Sequence, residues 1–316
     1  MNSCVGDMIV LSGNANLEFS KAVCAELGIP LGQCEVTQFS DGELNVNIGE
    51  TVRGKDVFVV QPTCSPVNDH LMELLIIIDA LMRASAGRIN AVVPYYGYAR
   101  QDRKTKAREP ITAKLVADIL TVAGADRVVT MDLHAGQIQG YFNIPVDHLS
   151  AISRLATHFK DIVNKEDACV VSPDLGGVTR ARNFATRLDL PIAIIEKRRP
   201  KANVSEVMNL IGDIEGKDCI IVDDIVDTAG TICKAAAVLK ERGAKRVFGC
   251  ATHGVLSGPA VERIRESVMD QFVITDTIPF DTSICDKIKV VTVADLFAES
   301  IRRINTNCSI SQVFDA

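Results

Sequence analysis

A repeated unit of helix, glycine and strand constrains the fold of this chain more than any other feature. Three times, an apolar helical segment is followed by a glycine, a basic residue and a β-rich run, in residues 71–93, 113–131 and 232–251. Glycine suits the left-handed end of a helix, and the run after it supplies the next parallel strand. Similar strands at residues 57–60 and 220–222 precede the first and third copies. The pattern predicts an α/β fold with doubly wound, mainly parallel sheets.

The chain has 316 residues, enough for two domains of ordinary size. The repeats divide it into two related α/β halves that join between residues 145 and 165. We therefore predict a first domain at residues 1–149 and a second at residues 150–316. The sequence does not decide which half the tail after Val293 packs against.

One segment in the second half carries the clearest chemical signal. Residues 219–231 read Cys-Ile-Ile-Val-Asp-Asp-Ile-Val-Asp-Thr-Ala-Gly-Thr, a short buried strand, two acids and a small hydroxylated loop before a helix at 232–242. The loop would point N–H groups and two hydroxyls at one spot before the positive end of the helix, where a phosphate fits. Its residues are Asp227, Thr228, Ala229, Gly230 and Thr231.

The two acids before this loop, Asp223 and Asp224, suit a sugar whose phosphate occupies the loop, because paired carboxylates accept hydrogen bonds from vicinal hydroxyls. The alternative is that the loop merely caps the helix with Asp or Thr. Capping needs one such residue and explains neither the acid pair nor both threonines.

Residues 219–231 resemble the phosphoribosyl pyrophosphate binding motif shared by phosphoribosyltransferases and phosphoribosyl pyrophosphate synthases. Other stretches resemble the bacterial class I synthases, the ribose-phosphate pyrophosphokinases, in the order found in that family: residues 39–43, 98–103, 132–140, 171–177 and 197–200. The resemblance covers nearly the whole chain. It implies two tandem phosphoribosyltransferase-like domains with the active site between them, the first for ATP and subunit contacts and the second for ribose 5-phosphate and the catalytic loop.

The activity that the resemblance implies is transfer of the diphosphoryl group of Mg-ATP to the C1 hydroxyl of ribose 5-phosphate. The products are 5-phosphoribosyl 1-pyrophosphate, used in nucleotide biosynthesis, and AMP. Such transfers depend on positioning and on cations that stabilise the transition state. Two alternatives remain: a non-catalytic regulatory subunit, and a phosphoribosyltransferase, which would need a base pocket in place of the ATP site.

For the nucleotide, the resemblance implies two groups of residues. One group contacts the adenine from a neighbouring subunit and comprises Phe39, Asp41 and Glu43. The other belongs to the same site from the other side and comprises Arg100, Gln101 and Asp102. Without the resemblance, Phe39 would be interpreted as a core residue and residues 100–103 as an exposed loop.

For the reacting phosphates, the resemblance assigns Mg²⁺ bound to ATP to His134 and Asp174. Of these, Asp174 is the more usual ligand, because Mg²⁺ prefers oxygen; by itself, its segment would be interpreted as a plain turn. The basic run after residues 192–195 would be a flexible catalytic loop in which Lys197 and Arg199 reach over the phosphates. Alternate residues of an extended segment point the same way, so these two can act together.

The resemblance also implies a homo-oligomer, expected to be a hexamer, with inorganic phosphate as activator and ADP as inhibitor at a subunit interface. The matching residues are Arg53, Arg108, Gln139, Ser309 and Ser311. Three neighbouring positions, Thr51, Ala107 and His148, depart from the Ser, Ser and Asn of some family members.

Composition limits the other partners. The net charge is −6 and the basic residues are scattered apart from residues 103–108 and 197–201, so we expect no nucleic acid partner. Ten cysteines without a CxxC or zinc-type spacing, and no signal-type amino terminus, predict reduced thiols in the cytoplasm. The apolar run at residues 71–82 contains Glu73 and Asp79 and is too short to cross a membrane.

Overall fold

The computed structural model describes residues 7–198 and 207–314, which form two compact units. The first unit extends to Ser150 and also includes Thr277–Pro279 and the chain from Val293 onward. The second consists of Ala151–Asp276 and Phe280–Thr292.

The first unit is built on a five-stranded parallel sheet and a separate antiparallel hairpin. Its strands are β1 (Met8–Ser12), β2 (Cys34–Gln38), β3 (Leu44–Ile48), β4 (Asp56–Val60), β5 (Arg88–Val93), β6 (Arg127–Met131) and β7 (Val146–Leu149). The sheet order is β1-β4-β5-β6-β7, and β2 pairs with β3 alone. All five residues of β4 are buried, as expected for a strand covered on both faces.

Three helices of the first unit precede residue 124: α1 (Leu17–Leu27), α2 (Val67–Arg83) and α3 (Thr112–Ala123). Helix α2 buries Leu74, Ile77, Ile78 and Leu81, a spacing of three and four residues that places them on one face. They share a core cluster with apolar residues of α3 and of the central strands.

The second unit has a seven-stranded sheet in the order β10-β9-β8-β11-β12-β13-β14. Its strands are β8 (Ala168–Ser172), β9 (Ile192–Arg198), β10 (Val207–Ile211), β11 (Asp218–Val226), β12 (Arg246–Gly254), β13 (Gln271–Thr275) and β14 (Ile288–Val291). Only the β9–β10 pair within this described sheet is antiparallel. Its helices are α4 (Ile152–Phe159), α5 (Val178–Leu188), α6 (Gly230–Glu241) and α7 (Ala260–Glu266).

The strand order of the second unit reverses between β8 and β11. From β8 the chain moves outward to β9 and β10, and it then returns to the other side of β8 at β11. In open α/β sheets, ligands bind at the carboxyl ends of the strands beside such a reversal. The predicted doubly wound, mainly parallel α/β architecture is confirmed.

The basic residue in each sequence repeat is the first residue of its strand and forms an ion pair with an acid of a neighbouring strand. Arg88 Nη2 lies 2.5 Å from Asp56 Oδ2, and Arg246 Nη2 lies 2.5 Å from Asp218 Oδ2. Arg127 makes the corresponding contact with Asp147 at 2.6 Å. The basic residue of each repeat therefore helps to join its strand to a neighbouring strand.

The predicted glycine caps are correct for two repeats and wrong for one. Gly124 and Gly243 have φ angles of 115° and 92° just after α3 and α6. After α2, however, Ser85 takes the positive φ, at 61°. Gly87 serves another purpose, because a Cβ there would lie 2.6 Å from the carbonyl oxygen of Gly54.

The tail belongs to the first unit, which corrects the assignment of residues 293–316 to the second domain. It forms α8 (Ala294–Asn305) and α9 (Ser311–Phe314). The ring of Phe297 in α8 packs edge-on against Phe19 in α1 at 5.4 Å. The amide of Asn305 donates to Asp56 at 3.0 Å, so both apolar packing and hydrogen bonds hold the tail.

Within the described ranges, no helix is long and apolar enough to cross a membrane. The cysteines in these ranges carry free thiols.

Candidate active site

The acid pair and the predicted phosphate loop lie at the carboxyl end of β11, beside the reversal of strand order. The strand is longer than the sequence suggested and continues to Val226. Asp223 therefore lies within the strand, opposite Ala251 of β12, rather than just before the loop. The loop itself is short, because α6 already begins at Gly230.

The start of α6 excludes the simple capping alternative. Its N-cap is Ala229, which has a left-handed φ of 57°, and no side chain caps the helix by a hydrogen bond. A positive φ at a residue other than glycine is uncommon and occurs at functional turns. Thr228 and Thr231 are exposed beside this turn. The loop thus presents two hydroxyls and the positive end of a helix at one place.

Two residues that the sequence patterns did not indicate hold this loop. Ser257 donates its hydroxyl to Asp227, and its backbone N–H donates to the Asp227 carbonyl at 3.0 Å. Arg263 of α7 donates from Nη1 to the Thr228 carbonyl at 2.9 Å. The loop shape is therefore supported from the neighbouring segment at residues 257–263.

Arg180 of α5 contacts both members of the acid pair. Its Nη1 lies 3.4 Å from Asp223 Oδ1 and 3.2 Å from Asp224 Oδ1. Asp224 is only 3% exposed. Burial and the adjoining Asp224 raise the pKa of Asp223 to about 8, against the opposing effect of Arg180. No sequence motif indicated Arg180; its relation to the acids follows from the pairing of β8 with β11, since α5 packs against both strands.

Asp174 follows β8, the strand beside β11. Its Oδ1 accepts the N–H of Gly177 at 2.9 Å, and its carbonyl accepts the hydroxyl of Ser172 at 2.7 Å. The predicted turn is thus present, and one carboxylate oxygen of Asp174 helps to form it. The carboxylate is half-buried at the carboxyl end of the sheet.

The structure describes only part of the predicted catalytic loop. The backbone of Lys197 lies on β9, where it pairs with Met208 of β10, so this residue is in a strand rather than in a loop. Arg199 lies outside the described residues.

Phe39, Asp41 and Glu43 lie at the tip of the β2–β3 hairpin. Phe39 is 57% exposed, so its interpretation as a core residue is wrong. The N–H of Phe39 donates to the Glu43 carbonyl at 2.8 Å, and the N–H of Glu43 donates to the Asp41 carboxylate at 3.1 Å. This tight turn presents an aromatic ring and two acids outward.

Arg100, Gln101 and Asp102 follow β5 and differ in environment. Arg100 and Gln101 are exposed, whereas Asp102 is 7% exposed. The Asp102 carboxylate accepts from the amide of Gln137 at 3.2 Å, and its carbonyl accepts the Tyr141 hydroxyl. Asp102 thus anchors the segment, which corrects its interpretation as part of an exposed loop.

His134 is exposed just after β6. The preceding Asp132 has a φ of 37° and accepts the hydroxyl of Ser150 at 2.9 Å. The N–H of Leu133 donates to His148 Nε2 at 2.8 Å. Burial lowers the pKa of His148, so the ring stays neutral and accepts this bond. His148 therefore shapes the segment that carries His134.

The five residues matched to an effector site all belong to the first unit and have exposed side chains: Arg53, Arg108, Gln139, Ser309 and Ser311. The hydroxyls of Ser309 and Ser311 hydrogen bond to each other at 3.0 Å. Arg108 has a φ of 69°. The described contacts do not join the serines to the other three.

The acid pair and the predicted phosphate loop thus lie beside the strand reversal of a doubly wound sheet, the ligand-binding position of the doubly wound α/β class of proteins. Residues 8–124 match the N-terminal domain of ribose phosphate pyrophosphokinase, and residues 198–315 match the phosphoribosyl synthetase-associated domain.

Relatives that match over nearly their whole length support the same family assignment. The ribose-phosphate pyrophosphokinase of Clostridium tetani is 62% identical over 309 residues, 97% of each chain. That of Bacillus caldolyticus is 56% identical over 317 residues, 100% of each chain. The crystal structure of phosphoribosylpyrophosphate synthetase from Mycobacterium smegmatis, at 43% identity, superimposes with a TM-score of 0.89 over 95% of this chain and 99% of its own. The chain therefore belongs to the ribose-phosphate pyrophosphokinase family and is an enzyme.

Proposed function

We propose that this enzyme transfers the diphosphoryl group of Mg-ATP to the C1 hydroxyl of ribose 5-phosphate, giving 5-phosphoribosyl 1-pyrophosphate and AMP for nucleotide biosynthesis. The observation that carries the proposal is the acid pair Asp223–Asp224 near the carboxyl end of β11, followed by the short loop to α6, whose start has no side-chain cap, at the strand reversal of the second unit.

Ribose 5-phosphate would bind with its phosphate at the loop before α6 and its sugar ring at the carboxyl end of β11. Its phosphate accepts hydrogen bonds from N–H groups of the first turn of α6 and from the hydroxyls of Thr228 and Thr231. Its ring hydroxyls donate to Asp223 and Asp224. Arg180 contacts the two acids and Arg263 contacts the loop. Because these contacts hold the site in place, little rearrangement is needed when the sugar binds.

ATP would use the exposed groups of the first unit. Arg100 and Gln101 contact the nucleotide, while buried Asp102 holds their segment in place. The exposed tip carrying Phe39, Asp41 and Glu43 supports the proposal that these residues act on a neighbouring subunit. The enzyme is then a homo-oligomer, and family resemblance favours a hexamer.

The Mg²⁺ that accompanies ATP would be held by His134 and Asp174. Among the described residues no group of three or more His, Cys, Asp or Glu side chains could enclose a metal ion. In proteins Mg²⁺ usually keeps several waters and is held by one or two carboxylates together with the substrate phosphates. When bound, Mg²⁺ supplies positive charge to the phosphate oxygens.

Lys197 and Arg199 would stabilise the negative charge that develops on the transferred group. In the sequence both follow the apolar run at residues 192–195, and the family resemblance assigns both to the reacting phosphates. Their positive charges would stabilise the transition state more than the bound substrates, and they would therefore raise kcat rather than tighten substrate binding.

The effectors follow from the resemblance, whereas the location and the lack of a nucleic acid partner follow from composition. Inorganic phosphate and ADP would act as effectors at a site that includes Arg53, Arg108, Gln139, Ser309 and Ser311. The acidic overall charge and the free cysteines support a cytoplasmic enzyme without a nucleic acid partner.

The deciding experiment is incubation of the purified protein with ATP, Mg²⁺ and ribose 5-phosphate, followed by separation of the nucleotides. The proposal requires AMP in equal amount to 5-phosphoribosyl 1-pyrophosphate. Formation of ADP instead would indicate an ordinary kinase. An absence of turnover in a folded, ATP-binding protein would favour the regulatory subunit.

A further inference from the structure

The guanidinium of Arg180 connects two structural elements of the second unit that carry predicted site residues. Arg180 lies on α5, the helix that follows the Asp174 turn. The acids that it contacts lie on β11. Because β8 and β11 are neighbours, the helix after β8 passes beside the carboxyl half of β11. One side chain therefore fixes the position of the acid pair relative to the Asp174 turn.

Two consecutive carboxylates repel each other, and Arg180 partly offsets that repulsion. Asp224 is almost fully buried, and the backbone N–H of Asp224 already donates to Asp223 Oδ1 at 2.9 Å. Like charges held together in a buried place favour protonation of one of them, and a protonated carboxyl is a poorer acceptor for a hydroxyl. A guanidinium within 3.4 Å of both carboxylates offsets this repulsion and also limits their rotamers.

We propose that Arg180 is a positioning residue for the sugar, which orients the carboxylates of Asp223 and Asp224 and favours their ionised forms, so that they accept the hydroxyls of ribose 5-phosphate. The inference rests on the proposed function, because it takes the acid pair as the sugar site. Arg180 acts through the two acids, so its loss affects the sugar far more than ATP.

The test compares the unaltered enzyme with Arg180→Gln, Arg180→Lys and a matched control, Arg182→Gln. Arg182 is on the same helix, two positions further on, and is exposed. For each protein, kcat and KM are measured for both substrates, with calorimetry of ribose 5-phosphate binding and a thermal melt to establish folding. The pH profile of kcat/KM for ribose 5-phosphate supplies a readout that a purely structural role would not change.

For Arg180→Gln we expect KM for ribose 5-phosphate to rise about tenfold or more, because a charge-assisted interaction is lost. We expect KM for ATP to change less than about twofold. The rising limb of the pH profile should move to higher pH by about one unit, since the acids ionise less readily without the cation. Arg180→Lys should recover part of the affinity, because it keeps the charge but not the fork geometry.

Equal KM changes for both substrates, or an unmoved pH profile in a folded Arg180→Gln protein, would overturn the inference. If Arg180→Gln does not fold, Arg180→Lys decides by the same comparison of the two KM values. Failure of the proposed function would differ, since the unaltered enzyme itself would then bind no ribose 5-phosphate.

Discussion

Arg88 Nη2 donates to the carbonyl oxygen of Ile304 at 3.0 Å, joining strand β5 to the tail helix α8. The same guanidinium pairs with Asp56, which is fully buried. In the second unit, Arg246 makes the same double contact with Asp218 and with the carbonyl of Ile162, just after α4. In each unit, therefore, a backbone carbonyl accepts a hydrogen bond from the paired arginine. It belongs to the end of α8 in the first unit and to the segment after α4 in the second.

This relationship predicts that Arg88→Met destabilises the protein. Removing one partner of a buried ion pair leaves the charge of Asp56 uncompensated, although the neutral amides of Asn90 and Asn305 still donate to it. We expect a loss of about 3 kcal/mol in the free energy of unfolding, measured by urea titration. Arg83→Met is the control, since its ion pair with Asp79 is exposed and its loss should leave the midpoint unchanged. Equal midpoints for the two variants would refute the prediction.

Lys197→Ala should lower kcat by roughly 10²-fold or more while leaving ribose 5-phosphate binding nearly intact. The reason is that a transition-state cation contributes little to the ground-state complex. Steady-state kinetics and calorimetry of sugar binding measure the two effects. Lys165→Ala, at an exposed lysine in the same unit, is the control. A large rise in KM with unchanged kcat would contradict the assignment.

Asp224→Asn and Thr231→Val should each weaken ribose 5-phosphate binding much more than ATP binding. The amide introduced by the first change accepts hydrogen bonds less strongly than a carboxylate, and the second change removes a hydroxyl from the phosphate loop while keeping the side-chain shape. We expect a loss of about tenfold or more in sugar affinity for each variant. Direct titration of both ligands measures this, with the exposed Asp213→Asn as control. Equal losses for both ligands in a folded protein would argue against a separate sugar cradle.

The acid pair predicts a pH dependence for sugar binding. Burial and Asp224 raise the pKa of Asp223 to about 8, so below that pH the free enzyme carries a proton that the sugar must displace. We expect kcat/KM for ribose 5-phosphate to rise with pH through this range and then level off. The measurement runs from about pH 7 to pH 9, above the second pKa of a phosphate monoester near 6. A flat profile would show that the pair stays ionised throughout.

If the residues at the tip of the β2–β3 hairpin complete the site of a neighbouring subunit, the enzyme should be active only as an oligomer. Because Phe39 is exposed at the turn of the β2–β3 hairpin, a Phe39→Ala subunit should fail to supply the proposed adenine contact to the neighbouring subunit. Phe39→Ala and Lys197→Ala should each be nearly inactive, yet mixed oligomers should regain part of the activity. Full activity in a verified monomer, or no recovery in verified mixed oligomers, would disprove the shared site.

The sequence alone predicted the elements that have strong local signals. The repeats indicated strands β5, β6 and β12, because their apolar and β-branched runs are bounded by glycine on one side and by turn residues on the other. The loop at residues 227–231 could also be recognised, since an acid pair and two threonines are more than a simple helix cap requires. These features depend on neighbouring residues, so they can be recognised without knowledge of the fold.

Sequence patterns failed where a residue's role depends on a partner far along the chain. Arg180 contacts acids 43 and 44 positions later, and Arg88 contacts a carbonyl 216 positions later. The exposure of Phe39 and the burial of Asp102 likewise follow from which segments cover them.

The sequence by itself thus determined the fold class and the family and indicated the loop at residues 227–231 as a candidate phosphate site, because these are encoded in local patterns and in their order. Only the tertiary structure decided that the tail belongs to the first unit and that Arg180 and Arg263 contact the acid pair and the loop after it. The physical reason is that strand order brings together charges and carbonyl groups that are distant in sequence. A buried carboxylate must have a partner, but the sequence does not say which cation provides it.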